Sequence, residues 1–137
     1  MQYAVKAHIE KPESTRFTLD HQKTMYGGKM ITAGDVVFVF ASENEGGSGL
    51  VATGIVLTAK ATPRKPGTGR QTPRVSIEIR RTALAKRRLG RAELEPFTRW
   101  HDGRPETELN FKFYRQATNK IVGLSDAAAR FLSRFFR

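Results

Sequence analysis

"ITAGDVVFVFASENEGGSGLVATGIV", Ile31 to Val56, is the stretch on which the fold turns. Gly34-Asp35 leads the chain into an apolar run, Asp35–Ala41, in which Val36, Phe38 and Phe40 alternate with Val37 and Val39. Successive side chains of a strand point to opposite faces, so both faces of this one are apolar and both must be covered. A polar loop, "SENEGGSG", separates it from a second apolar strand, Leu50–Ala59. Gly54 inside that second strand marks a bulge or a close backbone approach. Two acidic residues thus stand between two buried strands.

The acids stand out because the protein is basic. Its 137 residues carry 24 Lys and Arg against 13 Asp and Glu, a formal net charge of +11. The excess is local: residues 60–91 hold 11 basic residues and the single acidic Glu78, whereas residues 1–59 are close to neutral. Clustered positive charge is the footprint of a polyanion binder; the alternative is a solvated, solubilising face. Length and an apolar content of 39% suit one domain spanning residues 1–137 with a real core. No apolar run approaches the ~20 residues needed to cross a bilayer, and "MQYAVKAHIEK" is too polar for a secretory signal. With no cysteine, disulfides and thiolate-bound zinc are excluded, and a reducing, cytoplasmic setting is expected.

Outward from the central stretch, Tyr3, Val5, Ala7 and Ile9 alternate with Lys6 and His8 as a first strand. Residues 13–30 are polar and predict a short helix and a loop. Lys60–Arg74, with three prolines, predicts a loop between strands. "RVSIEIRRT" predicts a strand with Val75, Ile77 and Ile79 facing in, and "ALAKRRLGRAEL" a short basic helix ended by Pro96. "ELNFKFYR" alternates, which predicts a strand with Leu109, Phe111 and Phe113 inward and Asn110, Lys112 and Tyr114 outward. The chain closes on a helix capped by Ser125, with Ala128, Phe131, Leu132, Phe135 and Phe136 as its apolar stripe. Strands with short helices predict an α+β class, a small mixed barrel closed by a C-terminal helix.

The Gly-Asp pair, the strand ending in Phe40-Ala41-Ser42, the loop and "GLVATGIV" together resemble the PUA-like superfamily. The EVE branch is the nearer one and the ASCH branch a relative. "MYGGK", Met25 to Lys29, resembles the aromatic-glycine stretch of EVE domains, and "YAVKAH" is weakly similar to their start. The tryptophan and the Lys-Ser-Glu-Pro run expected there are missing. The resemblance implies a pseudobarrel, and a nucleic-acid base, in some relatives a modified one, held in a pocket beside it. RNA and DNA are both open as partners.

On that reading Ser42, Glu43 and Asn44 offer hydroxyl, carboxylate and amide groups to a base edge. Gly46, Gly47 and Gly49 let the backbone turn and approach the ligand, the alternative being a plain flexible hairpin loop. Tyr26, Gly27, Gly28, Trp100 and Tyr114 are the stacking and close-approach candidates. Trp100, in the polar context "FTRWHDGRP", could equally be a packing residue. Phosphates are assigned to Arg64, Lys65, Arg70, Arg74, Lys86, Arg87, Arg88, Lys112 and Arg115. No cofactor, metal or membrane partner is expected, because His8, His21 and His101 show no ligand spacing and no phosphate-loop or hydrolase motif occurs. Two other readings remain. One is an ASCH-like amidohydrolase acting on a modified nucleoside through Lys29, Thr32 and Glu78; the other is a basic face that docks an acidic protein.

Overall fold

In the computed structural model, which describes residues 1–67 and 69–137, six strands close a barrel in the order β1-β3-β4-β5-β2-β6. The strands are β1 (Gln2–Ala7), β2 (Arg16–Met25), β3 (Val36–Ala41), β4 (Gly49–Ala61), β5 (Arg74–Leu84) and β6 (Lys120–Gly123). Pairing is mixed: β1 runs parallel to β3, β2 parallel to β6, and the other four seams are antiparallel. Three helices follow the strands' main run: α1 (Arg91–Leu94), α2 (Pro105–Phe113) and α3 (Asp126–Ser133).

The central stretch behaves as its alternation dictates. Val37 and Val39 point into the barrel among Tyr3, Val5, Ile77 and Ile79. Phe38 and Phe40 point out into a second core beneath Leu109, Phe113, Ala128 and Leu132 of α2 and α3. Phe40 and Phe113 stack with ring centroids 5.0 Å apart. Burying each such phenylalanine stabilises the fold by about 1.5–3 kcal/mol, so β3 is the plate that welds helices to barrel. Gly54 sits at a bulge opposite β5, where a Cβ would lie 2.4 Å from the Arg80 carbonyl oxygen. Ser125 caps α3, its hydroxyl accepting the Ala128 N–H. Phe135 and Phe136 lie just past α3 in a 3-10 turn and pack half-buried on the outer core.

Four expectations need correction. Residues 16–25 form β2 rather than a short helix: Phe17 and Leu19 face the barrel interior while the rest of the strand is largely polar and exposed. "ELNFKF" is the last two turns of α2, not a strand. Asp102 accepts the Arg104 N–H and the Thr107 hydroxyl just before it, Pro105 occupies its first turn, and Leu109 and Phe113 meet the core at an i, i+4 spacing. Asn110, expected outside, is buried and donates to the Phe97 carbonyl. The basic segment after β5 is helical only over Arg91–Leu94.

Lys6 belongs to the interior as well. It lies 1% exposed, on the outer face of β1 beneath the helices. Its ammonium donates to the Phe113 carbonyl at 2.7 Å and the Ala117 carbonyl at 3.1 Å, at the negative end of α2. Lys120, at the start of β6, is equally buried and donates to the Gln116 and Thr118 carbonyls. Two buried cations therefore pin the turn from Tyr114 to Asn119. Burial lowers both amines to about 8, with Lys120 adding to the effect on Lys6 and Lys23 to that on Lys120.

Candidate nucleic-acid interface

β1 and β3 run parallel, so their carboxyl ends emerge side by side, and the Ser42 N–H bonds the Ala7 carbonyl there. Beyond them a single 3-10 turn, Glu43–Glu45, closes on Gly46. Beside this end of the barrel lies a cavity of about 400 Å³ bordered by His21, Lys23, Ser42, Asn44, Arg74 and Asn119. The strand β2 reaches it through a bulge at residues 20–21. His21 there adopts φ 52°, a left-handed backbone that costs a non-glycine residue about 1–2 kcal/mol. Three bonds hold it: its N–H to Ser76 Oγ at 2.9 Å, its Nδ1 to Thr62 Oγ1 at 2.9 Å, and its carbonyl to Arg74 at 2.7 Å.

The polar groups around the cavity are unevenly committed. The Asn44 amide oxygen accepts from Arg91 at 3.0 Å, which leaves its N–H donors. The Asn119 N–H donates to Glu45 at 2.6 Å, which leaves its carbonyl as an acceptor. Among the described residues the buried Ser42 hydroxyl has no hydrogen-bond partner. A buried polar atom without a partner is uncommon in native folds, and this one belongs to a residue of the cavity lining.

Glu43 stands apart from its neighbours. Its side chain is 14% exposed, accepts the Tyr114 hydroxyl at 2.6 Å and the Arg91 N–H at 3.1 and 3.2 Å, and lies 3.9 Å from Arg88. Burial, and then the Glu43 carboxylate, hold the Tyr114 hydroxyl protonated far above the ordinary tyrosine range. Glu43 thus ties the 3-10 turn to α1 and α2, and Tyr114 is half-buried with the Lys6 and Arg91 cations 4.9 and 5.6 Å from its ring centre. The glycines that follow approach the chain itself. A Cβ on Gly47 would lie 2.5 Å from Ala41, and one on Gly49, at φ 86°, 2.4 Å from the Leu89 carbonyl.

Tyr26 and Trp100 gather elsewhere. They flank Phe111 edge-on at 5.9 and 5.5 Å, with Arg115 4.6 Å above Phe111 and Lys112 5.6 Å from the Tyr26 ring. Lys112 is committed to Glu108 at 3.0 Å and to the Gly123 carbonyl at 2.7 Å. Gly28 packs against the Ile121 carbonyl, where a Cβ would come within 2.1 Å, and Gly27 takes the φ 84° of the turn. Tyr26 bonds Gly123, the partner of Tyr3, whereas Ser42 bonds Ala7. Four residues of β1 separate the two places, about 13 Å at roughly 3.3 Å per residue. The expected base-binding residues therefore fall into two groups that one base does not span.

The basic residues divide as well. Arg74 is on the cavity wall, while Arg64 and Lys65 line a neighbouring cleft and Arg70 is exposed in the same loop. Lys86, Arg87 and Arg88 lie elsewhere. Lys86 N–H and Arg87 donate to carbonyls of the C-terminal 3-10 turn, and Arg88 stands 3.6 Å from Glu93. No hydrogen bond or ion pair joins Lys29, Thr32 and Glu78: the Thr32 N–H bonds Asp35, and Glu78 faces Arg16 at 3.7 Å. Among the described residues no group of three His, Asp or Glu side chains could hold a metal ion, and no helix is long and apolar enough to cross a membrane. Reading the sequence missed His21, Lys23 and Asn119, whose contribution arises only when β2 and the turn before β6 meet beside β3.

No family model matches the chain, and no curated protein matches it either. Solved structures do. The DUF55 domain of human thymocyte nuclear protein 1 superposes with a TM-score of 0.64 at 13% identity, covering 96% of both chains. The human THYN1 protein in complex with DNA containing 5-methylcytosine superposes with a TM-score of 0.66 at 15% identity, over 96% of this chain and 94% of that one. A protein from Pseudomonas syringae gives 0.60 at 14% identity, over 99% and 100%. The closed mixed barrel with its C-terminal helix is the fold that these structures share with the chain.

Proposed function

We propose that this chain is an EVE-type, single-domain nucleic-acid-binding module that accepts one base of an unpaired strand in the cavity beside Ser42. The observation that carries the reading is the cavity itself. A donor amide on Asn44 and an acceptor carbonyl on Asn119 border a base-sized space, with Ser42 in its lining and Lys23, Arg74 and Glu45 as its charged residues. A donor and an acceptor on one cavity lining suit the mixed donor and acceptor edge of a flipped-out base. That a structural neighbour was solved with DNA containing 5-methylcytosine supports a nucleic-acid partner.

Phosphates on either side of the base meet Lys23, Arg64, Lys65 and Arg74. If those four cations are engaged, log K falls against log salt with a slope of roughly −3 for a single strand. Anisotropy of a labelled single-stranded oligonucleotide, titrated across salt, measures it. Arg74→Gln flattens the slope by about 0.7, and Asn44→Ala erodes preference among bases while leaving the slope alone. A slope near zero in the unaltered protein overturns the reading.

A further inference from the structure

The Ser42 cavity shares a wall with a larger one. A cleft of about 620 Å³ opens between β2 and the loop joining β4 to β5, and Lys23 and Arg74 border both spaces. Five cations stand around the cleft: Lys23, Lys29, Arg64, Lys65 and Arg74. Among the described residues no acidic side chain lines it. Between the cations Ala61, Pro63, Pro73 and Val75 supply apolar surface. The His21 to Thr62 bond ties the β2 bulge to the same loop, so the partition between the two spaces is braced from both sides.

A lining of apolar and uncharged polar groups whose only charges are positive among the described residues suits a ligand that is flat and weakly polar in one part and anionic in another. A nucleotide has that form. Proline rings and small aliphatic groups can pack against a base face, while the cations meet its phosphate. We infer that the cleft holds the nucleotide adjoining the base in the Ser42 cavity, with Lys23 and Arg74 gripping the phosphate between them, so the smallest full ligand is a dinucleotide. This rests on the base-binding reading of the Ser42 cavity. It adds Lys29 to the contact set and assigns Lys23 and Arg74 to one particular phosphate.

Titration of the full chain with a nucleoside monophosphate, the matching dinucleotide and the trinucleotide, at one salt concentration, tests it. Affinity rises about tenfold or more from mono- to dinucleotide, and far less with the third unit. Lys29→Gln, which alters an exposed residue of the cleft alone, removes most of that step and leaves the monophosphate affinity unchanged. Asn44→Ala, which alters the Ser42 cavity alone, weakens both ligands equally. No step from mono- to dinucleotide, or a step that survives both Lys29→Gln and Arg64→Gln, overturns the inference. So does a short oligoglutamate that binds as tightly as the dinucleotide with the same dependence on Lys29. A step that needs Lys29, with Asn44→Ala leaving the affinity of both ligands unchanged, keeps a nucleotide in the cleft and removes only the base from the Ser42 cavity, so the two failures read differently.

Discussion

Replacing Glu43 decides whether the first acid of the "SENEGG" loop serves the ligand or the fold. Its carboxylate satisfies two partly buried donors, the Tyr114 hydroxyl at 2.6 Å and the Arg91 N–H at 3.1 Å. Arg88, at 3.9 Å and 56% exposed, adds little, because solvent screens such a pair. Glu43→Ala orphans both donors at about 1–3 kcal/mol each, plus the packing of the lost side chain, for a total of roughly 3–5 kcal/mol. Glu43→Gln keeps the shape. Its carbonyl can accept from Arg91, and its amide can donate to a rotated Tyr114 hydroxyl. It then loses only the charge assistance, about 1–2 kcal/mol. For a chain of this length about 1 kcal/mol corresponds to roughly 3–5 °C, so the alanine variant melts about 10–20 °C lower and the glutamine variant about 3–10 °C lower. Differential scanning fluorimetry ranks the two, and oligonucleotide affinity below both transitions stays near that of the unaltered protein. Unchanged melting with a collapse in affinity would return Glu43 to the ligand and refute the assignment.

Trp100→Ala is expected to lower stability by about 1–2 kcal/mol, since it loses an edge-on contact with Phe111 and the Arg115 cation, while affinity holds; a tenfold loss of affinity at intact stability would move the strand onto that aromatic cluster. His21→Gly relieves about 1 kcal/mol of left-handed backbone strain but frees the partition between the two cavities. Its melting temperature changes little and dinucleotide affinity drops; a large fall in melting temperature contradicts this. The buried lysines give stability an alkaline slope. Both amines are held near 8 in the folded chain, against about 10.4 when unfolded. Between those values the unfolded state binds more protons, so stability rises with pH. Above about 10 the trend reverses, because Tyr114 and Tyr3 keep their protons in the folded state and release them on unfolding. Urea melts from pH 7 to 11 trace the curve, Lys6→Met reduces the rise, and stability that falls between pH 8 and 10 refutes the account.

What could be read from the sequence follows from how many physical signals agreed. Along β3 the alternation, the preceding Gly-Asp turn and the doubly apolar faces all pointed one way, and Phe38 and Phe40 lie where that pattern puts them. In "ELNFKF" two periods competed. Leu109, Phe111 and Phe113 fit a strand, Leu109 and Phe113 fit a helix face, and the deciding Asp102 and Pro105 lie upstream of the motif. β2 was hidden because only Phe17 and Leu19 carry its pattern before the bulge at His21 breaks the alternation. Lys6 and Lys120 defeat any polarity rule, since their burial depends on carbonyls of the turn that follows α2. Ser42 and Asn44 were legible through the loop they share. The rest of the cavity wall is assembled from β2, β5 and the turn before β6, and no local pattern announces that meeting.

The two pinned amines also make the protein its own chemical clock. Burial lowers the Lys6 and Lys120 amines to about 8, so each yields its proton more readily than an ordinary surface lysine. Those two are intrinsically the better nucleophiles, yet the turn from Tyr114 to Asn119 covers them. An acylating reagent therefore modifies them only when that turn lifts, and the rate at which each gains its label counts the openings. Since Thr118 and Asn119 on the turn border the Ser42 cavity, a ligand that closes the turn slows this clock.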